Sequence, residues 1–277
     1  MRLDLGYDGT DFSGWAVQPG RRTVAGALLG GLATVLRTTE DDLALVVAGR
    51  TDAGVHATGQ VCHLDVPRAA WLALPGRSSL PPHTSLLRRL RGVLPGDVRV
   101  HGAAPAPEGF DARFAAVHRR YAYRLCDDPA GVPPLRRRDV VAWPRPLDAA
   151  AMTEAAAGLV GLHDFAPFCR RRMGATTIRT LLEYGWSRDA DGFVVARVVA
   201  DAFCHSMVRA LVGAVAAVGD GRRSAAWLRE VLAGGVRDPG VTVAPAHGLV
   251  LEHVAYPPDA DLALRAAQAR AVRTLDG

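Results

Sequence analysis

The chain has 277 residues, with 33 basic and 28 acidic side chains and a formal net charge of +5, and every basic side chain is an arginine. The absence of lysine excludes Schiff-base, phosphate-loop and kinase-type lysine chemistry, because a guanidinium cannot supply the amine those reactions use. Asparagine is also missing and Ile178 is the only isoleucine, a codon-bias pattern that by itself attaches no function to the arginines.

From the N-terminus, Arg2 to Tyr7 alternates polar and apolar residues and ends at Asp8-Gly9, which predicts a strand and a turn. Thr23 opens a helix whose apolar positions Val24, Leu28, Leu32, Val35 and Leu36 recur at helical spacing. Leu43 to Ala48 reads as a short strand, 49–57 as a glycine-punctuated loop and Thr58 to Val66 as a further strand. Pro75 to Pro82 resembles an inserted loop, a second helix ends near Leu94-Pro95-Gly96, and Val98 to Ala103 is the last strand of the first half. The second half repeats the plan. A strand at Arg119 to Cys126 is followed by a proline- and arginine-rich connection over Asp127 to Pro146, a helix at Asp148 to Leu159 and strands at Thr177 to Trp186 and Gly192 to Ala200. Helices at Cys204 to Val218 and Ser224 to Ala233 precede a strand at Leu249 to Ala255.

Two copies of a βαββαβ string fit this order better than an alternating parallel one. The expected fold class is α+β: two ferredoxin-like halves, 1–115 and 116–277, forming a mostly antiparallel sheet with helices on one face and a central active-site cleft. A chain of this length buries about 75% of its unfolded surface, enough for a core without disulfides or metals. Cys62, Cys126, Cys169 and Cys204 make no CxxC pair and no zinc spacing, so reduced, mostly buried thiols are expected. The acid in Met1 to Leu5 is unlike a secretory signal, and the apolar stretches Val24 to Leu36 and Ala210 to Gly219 fall short of a membrane span of about 18 residues. A soluble, cytoplasmic protein is expected.

Chemistry concentrates in the segment from Gly49 to Gln60, GRTDAGVHATGQ, where three glycines surround the single carboxylate Asp52 between two strands. Glycines allow close approach of a ligand to backbone, and strand ends make stiff platforms. A plain turn in which Asp52 caps its own backbone accounts for the same composition. The wording of the segment separates the two: Gly49 to His56 followed by Gly59-Gln60 resembles the signature of the TruA-type tRNA pseudouridine synthases. Tyr7-Asp8-Gly9-Thr10, Phe12, Gly14-Trp15, Leu94 to Val98, Ala112-Arg113-Phe114, Arg119-Arg120-Tyr121, Phe203, Met207-Val208-Arg209, Val212-Gly213 and Ala246 to Leu249 follow further family motifs in order over most of the chain.

The resemblance implies isomerisation of uridine to pseudouridine in the anticodon stem-loop of tRNA, at positions 38, 39 and 40, by a homodimer needing no cofactor and no metal. It makes Asp52 the essential carboxylate. Arg209 is the cation to pair with it, since an opposite charge favours the ionised form against desolvation. Tyr121 is placed on the target uracil, although core packing beside Tyr123 fits the strand alternation equally. Arg50, His56 and Leu249 complete the expected substrate contacts, with Arg50 filling the space of an extruded base. Trp15 reads as a pocket edge or a buried anchor. The clusters Arg21-Arg22, Arg88-Arg89-Arg91, Arg119-Arg120, Arg136 to Arg138 and Arg170 to Arg172 are a candidate phosphate track.

Ala16, Arg91, Asp111 and Val250 depart from the family pattern and bear on substrate breadth. A catalytically silent RNA-binding module of the same fold is the alternative, and it leaves the carboxylate loop amid phosphates unexplained. A carboxylate-dependent hydrolase would want a second acid beside Asp52, and Asp65 has no motif support.

Overall fold

The computed structural model describes residues 1–170, 176–271 and 274. The chain folds as two compact units, the first made of Met1–Val117 and Glu252–Arg270, the second of His118–Leu251 and Ala271–Gly277. The stretch Glu252–Arg270 thus goes with the first unit, whereas the sequence division assigns all of 116–277 to the second.

The first unit contains β1 (Arg2–Tyr7), α1 (Val24–Leu36), β2 (Val46–Val47), β3 (His56–His63), α2 (Arg68–Ala73), α3 (Pro82–Val93) and β4 (Val98–Ala104). Its strands run β4-β1-β3-β2, each neighbouring pair antiparallel. This is the order in which a βαββαβ string closes when each helix returns the chain to the strand start. The alternation of β1 buries Leu3, Leu5 and Tyr7 and leaves the residues between them half-exposed. Thr23 caps α1 by accepting the Gly26 N–H at 3.2 Å, an interaction of about 1 kcal/mol. Leu28 and Leu32 of α1 and Leu86 and Leu90 of α3 are fully buried. The predicted strand 43–48 shrinks to the Val46–Val47 pair, and α2 forms where no helix is expected. It buries no residue, so it carries no apolar periodicity.

The second unit contains β5 (His118–Cys126), β6 (Val141–Ala142), α4 (Ala149–Ala157), β7 (Gly161–Asp164), β8 (Ile178–Arg188), β9 (Val194–Ala200), α5 (Met207–Gly219), α6 (Ala225–Ala233) and the first residues of β10 (Leu249–Ala255). Its strand order is β10-β5-β9-β8-β7, with β6 added in parallel to the end of β5. Leaving out the short β6 and β7, this is the same four-strand order as the first unit. Asp148 caps α4 through the N–H groups of Ala150 and Ala151, and Ser224 caps α6 through Trp227. The chain ends its described part with α7 (Leu262–Ala269), in the first unit, where Leu262 packs on Ala115 under Phe110 and Tyr256.

The fold is therefore α+β, mostly antiparallel, with seven α-helices among the described residues. None of these helices is long and apolar enough to cross a membrane. One expectation is corrected: Cys62 and Cys126 are free and buried, but Cys169 and Cys204 form a disulfide. The two cysteines are 35 positions apart, and the β8–β9 hairpin between them returns the chain on itself. The Arg170 N–H donates to the His205 carbonyl at 3.0 Å, so the two cysteines meet through tertiary structure that their spacing does not encode.

Candidate active site

In the first unit the loop between β2 and β3 carries Arg50, Asp52 and His56. Arg50 is exposed, Asp52 half-buried and His56 buried. The loop is tied down on several sides. Trp15 donates its N–H to the Thr51 carbonyl at 3.1 Å, Gly54 to Phe12 at 3.3 Å and Val55 to the Asp52 carbonyl at 3.2 Å. Gly9 packs so closely that a Cβ there would lie 2.0 Å from the Val55 oxygen, so only glycine fits. Trp15 is 3% exposed and tilts against Tyr7 at 6.0 Å between ring centroids, which makes it a buried anchor.

Beneath the loop lies a group of buried polar side chains. The Tyr7 hydroxyl and Thr51 Oγ1 are 2.8 Å apart, and Gln60 Nε2 donates to the Tyr7 oxygen at 3.2 Å and to the Gly49 carbonyl at 2.9 Å. Burial pushes the Tyr7 phenol up to about 12. His56 faces inward: its Nδ1 accepts the Gly9 N–H at 3.0 Å and lies 3.1 Å from Asp8 Oδ1.

In the second unit Tyr121 sits mid-strand on β5, opposite Val198, and packs edge-on to Phe203 at 5.1 Å. Tyr123, on the same face, is fully buried and donates its hydroxyl to the Pro245 carbonyl at 2.8 Å. Arg209 lies in the first turn of α5, half-buried. Its Nε donates to the Ala244 carbonyl at 2.8 Å, while its own carbonyl accepts the Ala244 N–H at 3.0 Å. Its charge also bears on Tyr123, whose phenol burial raises and Arg209 lowers. Gly213, one turn further on, lets the same segment lie on the helix, since a Cβ would fall 2.0 Å from the Thr242 oxygen. Ser206 enters the helix with φ +62°, a left-handed conformation that costs a side-chain-bearing residue about 1 kcal/mol or more. Leu249 begins β10 and is 5% exposed.

The arginine clusters divide. Arg22 makes a bidentate pair with Asp97 at 2.8 Å and stacks 4.0 Å from the Phe12 ring. Arg119 is buried and donates to the Asp201 carbonyl, and Arg136 pairs with Asp139. These three hold partners within the protein. Arg21, Arg88 and Arg91 are exposed, and Arg171 and Arg172 lie outside the described residues. No cluster of three or more His, Cys, Asp or Glu able to hold a metal ion occurs among the described residues. His63 instead accepts the Ala112 N–H at 3.0 Å.

The roles of Tyr7, Thr51 and Gln60 were not legible beforehand, although each belongs to a quoted motif. The available signal was a glutamine inside the strand run Gln60-Val61-Cys62, where a buried amide needs partners.

A family model described as tRNA pseudouridine synthase matches residues 155–257. Curated proteins named tRNA pseudouridine synthase A match the whole chain. That of Streptomyces griseus is 61% identical over 100% of this chain and 95% of its own length. Those of Frankia casuarinae and Mycobacterium leprae are 59% and 53% identical, each over 99% of this chain and 95% of its own length. At such identity over full length, the chain belongs to the tRNA pseudouridine synthase A family.

Proposed function

We propose that the protein isomerises uridine to pseudouridine in tRNA, with Asp52 as its essential carboxylate. The observation that carries this reading is the loop around Asp52: a half-buried carboxylate on a strand-end loop held by buried hydrogen bonds, in a chain 61% identical to a named synthase over its full length.

The reaction breaks the bond between C1′ and N1 of the nucleotide, turns the uracil, joins C1′ to C5, takes the proton from C5 and leaves one on N1. Every atom of the substrate is retained, so no co-reactant enters. An ionised carboxylate serves either as nucleophile toward the base or as the group acting at the sugar, and both branches consume the same Asp52. Arg209 is assigned as the cation that accompanies this carboxylate in the reaction. Tyr121 stacks on the uracil and presents a hydroxyl for proton transfer from C5. Arg50, exposed two residues before Asp52, occupies the space of the extruded base. Extrusion costs a few kcal/mol and less in a loop than in a duplex, which favours uridines of the anticodon stem-loop, positions 38, 39 and 40. His56 shapes the loop from behind, and Leu249 gives an apolar floor. The unpaired, exposed Arg21, Arg88 and Arg91 meet phosphates. The protein acts in the cytoplasm as a homodimer, without cofactor.

The test is incubation of the purified protein with transcribed tRNA, without added metal or cofactor, followed by mapping of pseudouridine. The expected product is pseudouridine in the anticodon arm, absent with Asp52→Ala while tRNA binding persists. Turnover by Asp52→Ala defeats the assignment.

A further inference from the structure

We infer that Tyr7 and Gln60 are positioning residues for Asp52, acting with the Thr51 hydroxyl as one buried relay that fixes the backbone from which the carboxylate projects. The inference rests on Asp52 being the reactive carboxylate.

Gln60 is 0% exposed, and its amide orientation is fixed by two backbone partners. Its Oε1 accepts the Val61 N–H at 3.1 Å, and its Nε2 donates to the Gly49 carbonyl at 2.9 Å. A flipped amide would set oxygen against the Gly49 carbonyl and an amino group against the Val61 N–H. The second hydrogen of Nε2 goes to the Tyr7 oxygen at 3.2 Å. Tyr7 is 5% exposed, and its hydroxyl shares a hydrogen bond with Thr51 Oγ1 at 2.8 Å. The contacts therefore link Gln60 to Tyr7 and Tyr7 to Thr51, with a branch from Gln60 to Gly49. The phenol, raised to about 12 by burial, keeps its proton, so the hydroxyl stays a hydrogen-bonding partner of Thr51.

The relay grips the chain three residues and one residue before Asp52. At Thr51 a second hold comes from Trp15, whose N–H donates to the Thr51 carbonyl at 3.1 Å. The surrounding core is apolar, with Leu5, Val47, Val61 and Cys62 all buried. Burying three polar side chains there costs more than burying apolar ones of similar size, and a fully satisfied polar network returns that cost as a single defined geometry. A carboxylate that must meet one atom of a bound nucleotide is where such geometry matters, since a misplacement of about 1 Å can cost about 100-fold in rate.

The experiment is single-turnover pseudouridine formation with enzyme in excess over tRNA, run beside tRNA affinity and thermal melting. The variants are Tyr7→Phe, Thr51→Val, Thr51→Ser and the control Asp52→Asn. Tyr7→Phe and Thr51→Val remove a hydroxyl each and preserve shape. They are expected to lower the rate constant about 10- to 100-fold with unchanged tRNA affinity, and Thr51→Ser to restore most of it. A variant that melts below the assay temperature is read at a lower temperature at which it is folded. Full rate in both hydroxyl deletions, with Asp52→Asn dead, overturns the inference and leaves the proposed reaction standing. A loss that lies wholly in tRNA affinity overturns it as well. Full rate in Asp52→Asn overturns the reading of Asp52 and the inference with it.

Discussion

The two units share one strand order, yet they hold their candidate residues by different means. In the first, the Asp52 loop is gripped by side chains: Gln60, Tyr7 and Thr51 form a chain of buried hydrogen bonds, and His56 accepts from Gly9. In the second, backbone and packing do the holding. Arg209 is tied to Ala244 through a carbonyl and an N–H, Gly213 brings the Thr242 carbonyl onto α5, and Tyr121 is fixed by the edge of Phe203. The difference matches what the proposed roles ask of each residue. A carboxylate acting on one atom needs angular definition, which directional hydrogen bonds supply. A long guanidinium and an aromatic ring need a fixed stem and a flat wall, which close packing supplies.

The largest expected effect outside the Asp52 loop is at Arg209. Lysine has no Nε–H to leave on the Ala244 carbonyl while its charge reaches onward, so Arg209→Lys must give up either the anchor or the reach. A loss of about 100-fold in kcat/KM is expected, with the folded state intact by circular dichroism. Activity within about twofold of wild type would show that the forked guanidinium is not used, and would break the contrast between the units at its most important residue.

Gly213→Ala probes the packing side alone. Alanine favours a helix interior by about 1 kcal/mol over glycine, but its Cβ would meet the Thr242 carbonyl oxygen, 2.0 Å away, on backbone that cannot step aside cheaply. Overpacking of this kind costs about 3 kcal/mol, so a net destabilisation of about 2 kcal/mol is expected in urea unfolding. An unchanged or raised midpoint would mean that the segment 241–244 is not seated on α5 by close approach, and Arg209 would need another anchor.

What the sequence disclosed, and what it withheld, follows the same division. Periodicity revealed β1 and α1 because each repeats one pattern long enough for burial on one side to be visible, as in Leu3, Leu5 and Tyr7 of β1. The N-caps Thr23, Asp148 and Ser224 announced their helices for a local chemical reason. The two-residue β6 is a strand only because Leu125 and Cys126 pair with it, so no local pattern marks it, and of the predicted strand 43–48 only Val46–Val47 meets a partner, at His63 and Cys62. The disulfide of Cys169 with Cys204 and the Tyr7–Gln60 contact, 53 residues apart, are likewise products of the sheet. Of the site, the loop motif was readable and the identity of its supports was not. Arg22, Arg119 and Arg136 looked like phosphate ligands in a row of arginines, and only their partners Asp97, Asp201 and Asp139 reveal them as structural.

The smallest expected effect tests whether histidine in the first unit belongs to its hydrogen-bonded scaffold. His63 accepts the Ala112 N–H at 3.0 Å and stands edge-on to Phe110 at 5.8 Å. Burial lowers its proton affinity from the usual 6.5, and the nearby N-terminal ammonium acts in the same direction, against the carboxylates Asp111 and Asp65. Between the lowered folded value and 6.5 the unfolded chain therefore binds more protons than the folded one, so stability rises with pH in that window. The contribution is complete above the unfolded value and is lost as pH falls through the folded one. Protonation has a structural consequence too, since a proton on Nδ1 displaces the Ala112 N–H. Asparagine at this position keeps an acceptor oxygen and does not titrate. Tm measured at about pH 7.5 and about pH 5.5 should fall further in wild type than in His63→Asn. Equal falls in the two proteins would assign the acid sensitivity to other groups and confine the directional scaffold of the first unit to the residues around Asp52.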